Sequence, residues 1–102
     1  MTFSAIWAVV TSFRPDGGLL DATAALTDQV AGVIVVDDGS GAGFDHVLDA
    51  LVTQGVTVLR REENAGIAAA LNAGIEDALA RGCDAVVTFD QDHGGIRSVG
   101  YR

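Results

Sequence analysis

Two carboxylates stand one residue apart where an apolar segment of the chain ends. Residues 86–89 are mostly β-branched and apolar, which is typical of a buried strand, and Asp90-Gln91-Asp92 follows them directly. Carboxylates in this arrangement offer a pair of hard oxygen ligands for Mg²⁺ or Mn²⁺. The pattern predicts a metal site formed by Asp90 and Asp92. An acidic turn that merely closes a strand is the simpler alternative.

The charge of the chain agrees with a metal-assisted site. The 102 residues carry a net charge of −8 and include no lysine. This balance argues against nucleic acid and anionic membranes as direct partners. The absence of lysine also excludes a Walker A phosphate loop and a Schiff-base lysine. A phosphorylated ligand would therefore need a metal ion to offset its repulsion by the protein.

Strand-like and helix-like segments alternate along the chain as far as Asp92. Apolar runs predict strands, and apolar residues at helical spacing predict helices, with short glycine-containing loops between them. The predicted strands are residues 6–10, 33–36, 56–59 and 85–89, and the predicted helices are residues 19–30, 44–52 and 67–81. This alternation predicts an α/β fold in which right-handed crossovers build a parallel sheet.

Residues 93–102 differ in pattern from the rest of the chain. They contain three glycines and show no sustained period, so we predict an irregular tail after one domain over residues 1–92. The single cysteine, Cys83, suits a reducing compartment. With no signal peptide and no apolar run of the ~20 residues that span a bilayer, the predicted location is cytoplasmic.

A second acidic pair, Asp37 and Asp38, follows the second strand. Ligands of open α/β sheets bind beyond the carboxyl ends of the strands. With a strand order of 3-2-1-4, the second and fourth strands flank the first, so the two acidic pairs lie on the order of 10 Å apart. This is about the span from a nucleoside to its diphosphate. One carboxylate would accept hydrogen bonds from the nucleoside, and a metal at the other end would clamp the diphosphate.

Three motifs resemble those of the family 2 glycosyltransferases, most closely the rhamnosyltransferase-type members. They are VVDDGS at residues 35–40, NAGI with LNAGI within residues 64–75, and TFDQD at residues 88–92. The resemblance covers residues 6–92. It implies a Rossmann-like GT-A fold, an inverting mechanism and a nucleotide-diphosphate sugar donor, with dTDP-rhamnose as a candidate. It also implies a saccharide or lipid-linked acceptor of cell-wall polysaccharide synthesis, reached at the inner face of the membrane.

The same resemblance implies roles for individual residues. The implied nucleotide-binding residues are Thr11, Arg14, Asp37, Asp38, Asn64, Gly66 and Asp90, and the implied metal ligands are Asp90 and Asp92. Two of these have simpler alternatives. Asp38 would also suit a turn through Gly39, and Asn64 would also suit the N-cap of the third helix.

The chain departs from the family pattern after Asp92. His93 and a glycine-containing tail stand where family members usually have Ser or Thr and a long continuation. We therefore expect a truncated donor-binding part that lacks the acceptor site and the general base, and we assign no catalytic residue. A sheet truncated in this way should leave an unpaired edge beside the fourth strand and an uncovered apolar face, which favours self-association.

Other functions fit the residues less well. Phosphatases of the haloacid dehalogenase type also use D-x-D, but after their first strand and with a later lysine. A dinucleotide-binding loop would need a third glycine, which residues 39–46 do not supply at the required spacing. The alternative outside enzymes is a non-catalytic fragment that binds a nucleotide or a partner.

Overall fold

One mixed β-sheet runs through the protein, for which a computed structural model describes residues 5–92 and 95–101. Its strands are β1 (Ile6–Ser12), β2 (Gly32–Asp38), β3 (Thr57–Arg61), β4 (Ala85–Asp92) and β5 (Gly95–Tyr101). They lie in the order β3-β2-β1-β4-β5, with β1 to β4 parallel and β5 antiparallel to β4. The predicted α/β class and the order 3-2-1-4 are confirmed.

Three α-helices connect the parallel strands. They are α1 (Gly17–Thr27), α2 (Asp45–Thr53), which a 3₁₀ turn at Ala42–Phe44 precedes, and α3 (Ile67–Ala80). The carboxylate of Asp16 accepts a hydrogen bond from the Gly18 N–H at 2.9 Å, so α1 begins before Leu19, where its start was predicted. Within the described ranges, every helix is too short or too polar to cross a bilayer.

The helices divide between the two faces of the sheet, as right-handed crossovers require. The core under α1 and α2 consists of Ala8, Val10, Leu19, Val33, Val35, Leu48, Leu51 and Val56. The core under α3 consists of Val9, Ile34, Val36, Ala70, Ala78 and Val86. Because β1 and β2 supply alternate residues to both cores, their sequences are continuous apolar runs.

Helix α3 packs on the sheet through small residues. Its buried positions are Ala70, Gly74 and Ala78. The helical spacing of apolar residues in the sequence predicts an inward face of Ile67, Leu71, Ile75, Ala78 and Leu79. Ile67 and Leu79 are 53% and 60% exposed, so that part of the prediction is wrong. Small side chains let the helix backbone approach β1 and β2 so closely that the bulkier residues are displaced to its flanks.

We expect Gly74→Ala to lower the free energy of unfolding by about 1–3 kcal/mol, the usual cost of overpacking. A Cβ at this position would overlap Val9 Cγ1 and lie 2.9 Å from Val36 Cγ2. Urea denaturation followed by circular dichroism measures the change. Gly43→Ala is the matched control, because a Cβ there meets nothing within 4 Å. Equal stability of the two variants would contradict the close approach of α3.

Over residues 95–101, strand β5 stands where the sequence predicted an irregular tail spanning residues 93–102. It pairs with β4 from Gly95 opposite Asp92 to Tyr101 opposite Val87, and the register shifts once, between Thr88 and Phe89. The predicted unpaired edge beside β4 is therefore also wrong. Ile96 packs against the core under α1. The sequence did not predict this strand, because seven residues with an irregular register show no clear alternation of apolar and polar residues. His93 lies outside the described residues, and self-association stays a prediction.

Candidate functional site

A cavity of about 270 Å³ opens at the carboxyl end of the parallel strands. It lies at the ends of β1, β2 and β4, where the strand order reverses, which is the usual ligand crevice of a doubly wound sheet. Its lining residues come from these strand ends, from the β1–α1 loop, from the β3–α3 loop and from the start of α3. They are Thr11, Ser12, Phe13, Asp38, Asn64, Gly66, Ile67, Asp90 and Gln91.

Asp90 enters the cavity from β4 and is held by a neighbour on β1. Thr11, its register partner in the sheet, donates a hydrogen bond from Oγ1 to Asp90 Oδ1 at 2.8 Å. Thr11 is 2% exposed, so the donor itself is fixed by packing. Since a carboxylate offers about four acceptor sites, one such bond fixes its orientation and leaves capacity for a ligand.

Asp38 enters the cavity from the end of β2 and binds the loop that precedes α3. Its Oδ1 accepts a hydrogen bond from the Ala65 N–H at 3.1 Å, and its Oδ2 accepts one from the Gly66 N–H at 3.0 Å. Arg61 Nε lies 3.6 Å from Oδ1. The side chain is 8% exposed. Asp38 therefore holds one wall of the cavity in place, whatever ligand it also contacts.

The start of α3 borders the cavity through Gly66 and Ile67. Gly66 occupies the N-cap position with a φ of +96°, and Asn64 Oδ1 accepts a hydrogen bond from its N–H at 3.2 Å. The alternative in which Asn64 caps the helix is therefore wrong, because Asn64 instead closes the turn before the cap. The first N–H groups of a helix favour anions, so this wall complements a negative ligand.

Asp37 and Arg14 lie beside the cavity and do not line it. Asp37 is 1% exposed and accepts hydrogen bonds from both the backbone N–H and the hydroxyl of Ser40. The same hydroxyl oxygen accepts a hydrogen bond from the Arg14 N–H at 2.6 Å. The Arg14 guanidinium lies 5.0 Å from the centroid of the Phe13 ring. Asp37 thus ties the turn after β2 to the β1–α1 loop.

Asp92 is exposed and lies two residues beyond Asp90 on the same face of β4. In the part of the chain that the structure describes, no three His, Cys, Asp or Glu side chains form a metal-binding group. Mg²⁺ is commonly bound through one or two carboxylates and completed by water and substrate phosphates. Asp90 and Asp92 fit an open site of that kind, and they do not by themselves form a closed protein cage.

The structure adds cavity residues that sequence reasoning missed. Gln91 Oε1 accepts a hydrogen bond from the Phe13 N–H at 3.3 Å, and Gln91 Nε2 donates one to the Phe13 carbonyl at 3.2 Å. Ser12 is 2% exposed, and its Oγ has no hydrogen-bond partner among the described residues. Gln91 stands between the two aspartates in the sequence, and the D-x-D pattern predicts a role only for the two aspartates.

Comparison with known proteins identifies a family whose model covers the segment that forms the cavity. A family model described as "Glycosyl transferase family 2" matches residues 8–93. The match extends from β1 to the end of β4 and includes every residue that lines the cavity. No curated protein matches the chain.

Proposed function

The chain belongs to glycosyl transferase family 2, and we propose that its cavity binds a nucleotide-diphosphate sugar for inverting glycosyl transfer. One observation carries this proposal: Asp38 and Asp90, from the two strands that flank β1, line the same cavity. Two strand spacings separate them, on the order of 10 Å. A nucleoside at one end and its diphosphate at the other would span that distance.

At the nucleoside end, Asp38 is the proposed acceptor. Both of its oxygens already bind backbone N–H groups, and each retains capacity to accept a further bond from a base N–H or a ribose hydroxyl. Thr11, Asn64 and Gly66 line the same cavity. Arg14 and Asp37 contribute by holding the surrounding loops, since they meet at Ser40 outside the lining.

At the diphosphate end, Asp90 and Asp92 would hold Mg²⁺ or Mn²⁺. When bound, the ion would neutralise charge on the diphosphate leaving group. Electrostatic repulsion between the diphosphate and the protein supports the need for a metal ion. The cavity lining includes two carboxylates, and the whole chain carries a net charge of −8. The donor we propose is dTDP-rhamnose, supported by the TFDQD run and its likeness to rhamnosyltransferase-type motifs.

The acceptor in this proposal is a saccharide or a lipid-linked sugar, as in cell-wall polysaccharide synthesis. Its hydroxyl must lose a proton to a general base during transfer. Both carboxylates of the cavity are assigned to the donor, so none of the described lining residues is assigned this role. The lack of a candidate general base among the described lining residues favours a second candidate function, in which the chain binds the nucleotide without turnover.

Calorimetry with dTDP, with Mn²⁺ or with chelator present, tests the proposal. We expect Mn²⁺ to tighten dTDP binding by at least about tenfold, or about 1.4 kcal/mol. Asp92→Ala should remove that gain, because the ion would lose one of its two carboxylate ligands. Asp21→Ala, an exposed carboxylate on α1, is the control for the change in net charge.

Each outcome of this experiment bears on a different claim. Equal affinity with Mn²⁺ and with chelator would contradict the metal site, and failure of every nucleoside diphosphate to bind would contradict the proposed function. Release of dTDP from dTDP-rhamnose on addition of a saccharide acceptor would decide between transfer and simple binding.

A further inference from the structure

The proposed donor site presents an electrostatic problem. Its lining, as far as the structure describes it, holds Asp38 and Asp90 and no basic side chain. Like charges a few ångströms apart repel strongly where water is partly excluded. A diphosphate beside Asp90 therefore needs positive charge from outside the lining, and the metal ion is one source.

Arg97 on β5 is placed to supply a second source. It is the register partner of Asp90 in the antiparallel β4–β5 ladder. Directly opposite residues share a face of the sheet with Cβ atoms ~4.5–5.5 Å apart, and diagonal neighbours are also within reach of long side chains. Arg97 thus lies across from Asp90 and diagonal to Asp92, on the face where Asp90 meets Thr11.

The irregularity in β5 does not move Arg97 off this face. Pairing is continuous from Gly95 opposite Asp92 to Ser98 opposite Phe89, and the register shifts only beyond that point. Strand β5 lies on the side of β4 away from β1, and its antiparallel pairing with β4 fixes the backbone of Arg97. The guanidinium is therefore carried by a strand rather than by a loop.

Three other arginines carry ion pairs, and the one nearest the cavity, Arg61, is engaged with Asp38 at the nucleoside end. Arg60 lies 2.6 Å from Asp45, Arg61 lies 3.6 Å from Asp38, and Arg81 lies 2.7 Å from Asp77. Arg97 is exposed, and within residues 5–92 and 95–101 it makes no ion pair shorter than 4.0 Å. Its charge is available to a ligand.

We propose that Arg97 binds the diphosphate of the donor, beside the metal ion that Asp90 and Asp92 would hold. This inference rests on the proposed function. A guanidinium presents a planar fork of N–H donors that matches two phosphate oxygens, and it stays charged at any physiological pH. Arg97 is then a binding residue contributed by β5, beyond the segment that the family model matches.

Calorimetry with Mn²⁺ present tests the contact, using dTDP, inorganic pyrophosphate and thymidine as ligands. Arg97→Gln should weaken dTDP and pyrophosphate by roughly 10- to 100-fold and leave thymidine unchanged, since only the first two carry phosphate. Arg97→Lys should give a smaller loss, because it keeps the charge without the fork. Arg81→Gln, at the far end of α3, is the control with the same change in charge.

The controls separate failure of this inference from failure of the proposed function. If the unaltered chain binds dTDP and Arg97→Gln behaves like Arg81→Gln, the inference is overturned and the proposed function stands. Tighter binding by Arg97→Gln also overturns it, because Arg97 would then only offset the two carboxylates. Absence of dTDP binding by the unaltered chain overturns both. Matching thermal melts of the variants establish that each is folded.

Discussion

Replacing Gly39 with alanine is expected to lower the free energy of unfolding by about 3–5 kcal/mol. This figure adds the cost of holding alanine in a left-handed backbone conformation to the cost of a steric clash with the main chain. Gly39 has a φ of +80°, and a Cβ there would lie 2.5 Å from the Asn64 nitrogen and 2.6 Å from the Glu63 carbonyl carbon. Because both are main-chain atoms, no side-chain rotation relieves the contact. The loop that carries Asn64 must move, so dTDP affinity should fall as well.

Gly41→Ala separates the two parts of this effect. Gly41 has a φ of +88°, close to that of Gly39, and a Cβ there meets nothing within 4 Å. Since its ψ is 175°, a conformation that essentially only glycine adopts, its replacement should cost about 1–3 kcal/mol, the backbone part alone. Chemical denaturation of both variants measures the difference. Equal losses would show that the contact between the two loops contributes nothing.

Asp38→Ala is expected to cost a similar amount, about 3–5 kcal/mol, because two partly buried backbone N–H groups each lose their acceptor at about 1–3 kcal/mol. Alanine leaves the Ala65 and Gly66 N–H groups without their carboxylate acceptor and removes the anion beside Arg61. The loop before α3 then loses its attachment to β2. Denaturation in urea, followed by circular dichroism, measures the loss.

A neighbouring ion pair provides the control for Asp38. Asp45 pairs with Arg60 at the surface, where their side chains are 51% and 39% exposed, so Asp45→Ala should cost under about 1 kcal/mol. For ligand binding, Asp38→Asn is the milder change. It should weaken dTDP and leave inorganic pyrophosphate unaffected. Equal weakening of both ligands would argue against a nucleoside contact at Asp38.

The parallel part of the sheet was predictable from the sequence, because it follows from local apolar patterns and from the handedness of strand connections. Apolar runs marked β1 and β2, and the handedness of crossovers then fixed which helices cover which face. Strand β5 was not predictable in the same way. Its hydrogen bonds go to β4, and the register shift breaks the alternation of a strand that is only seven residues long.

The site was predicted in part, and the errors trace to where strands end. The sequence suggested that β2 stops at Val36, which made Asp37 and Asp38 a single cluster in a loop. Strand β2 in fact continues to Asp38, so alternate residues face opposite sides of the sheet. Asp38 therefore lines the cavity, and Asp37 faces away from it and binds Ser40.

The central position of β1 has a consequence for how the chain folds. Thr11 and Asp90, which meet across β1 and β4, are 79 residues apart in the sequence. Contacts of such long range slow folding, since a large loop must close before they form. While β4 is not yet docked, one hydrogen-bonding edge of β1 remains open to other chains. The rate of docking β4 would thus set how long each new molecule is exposed to aggregation.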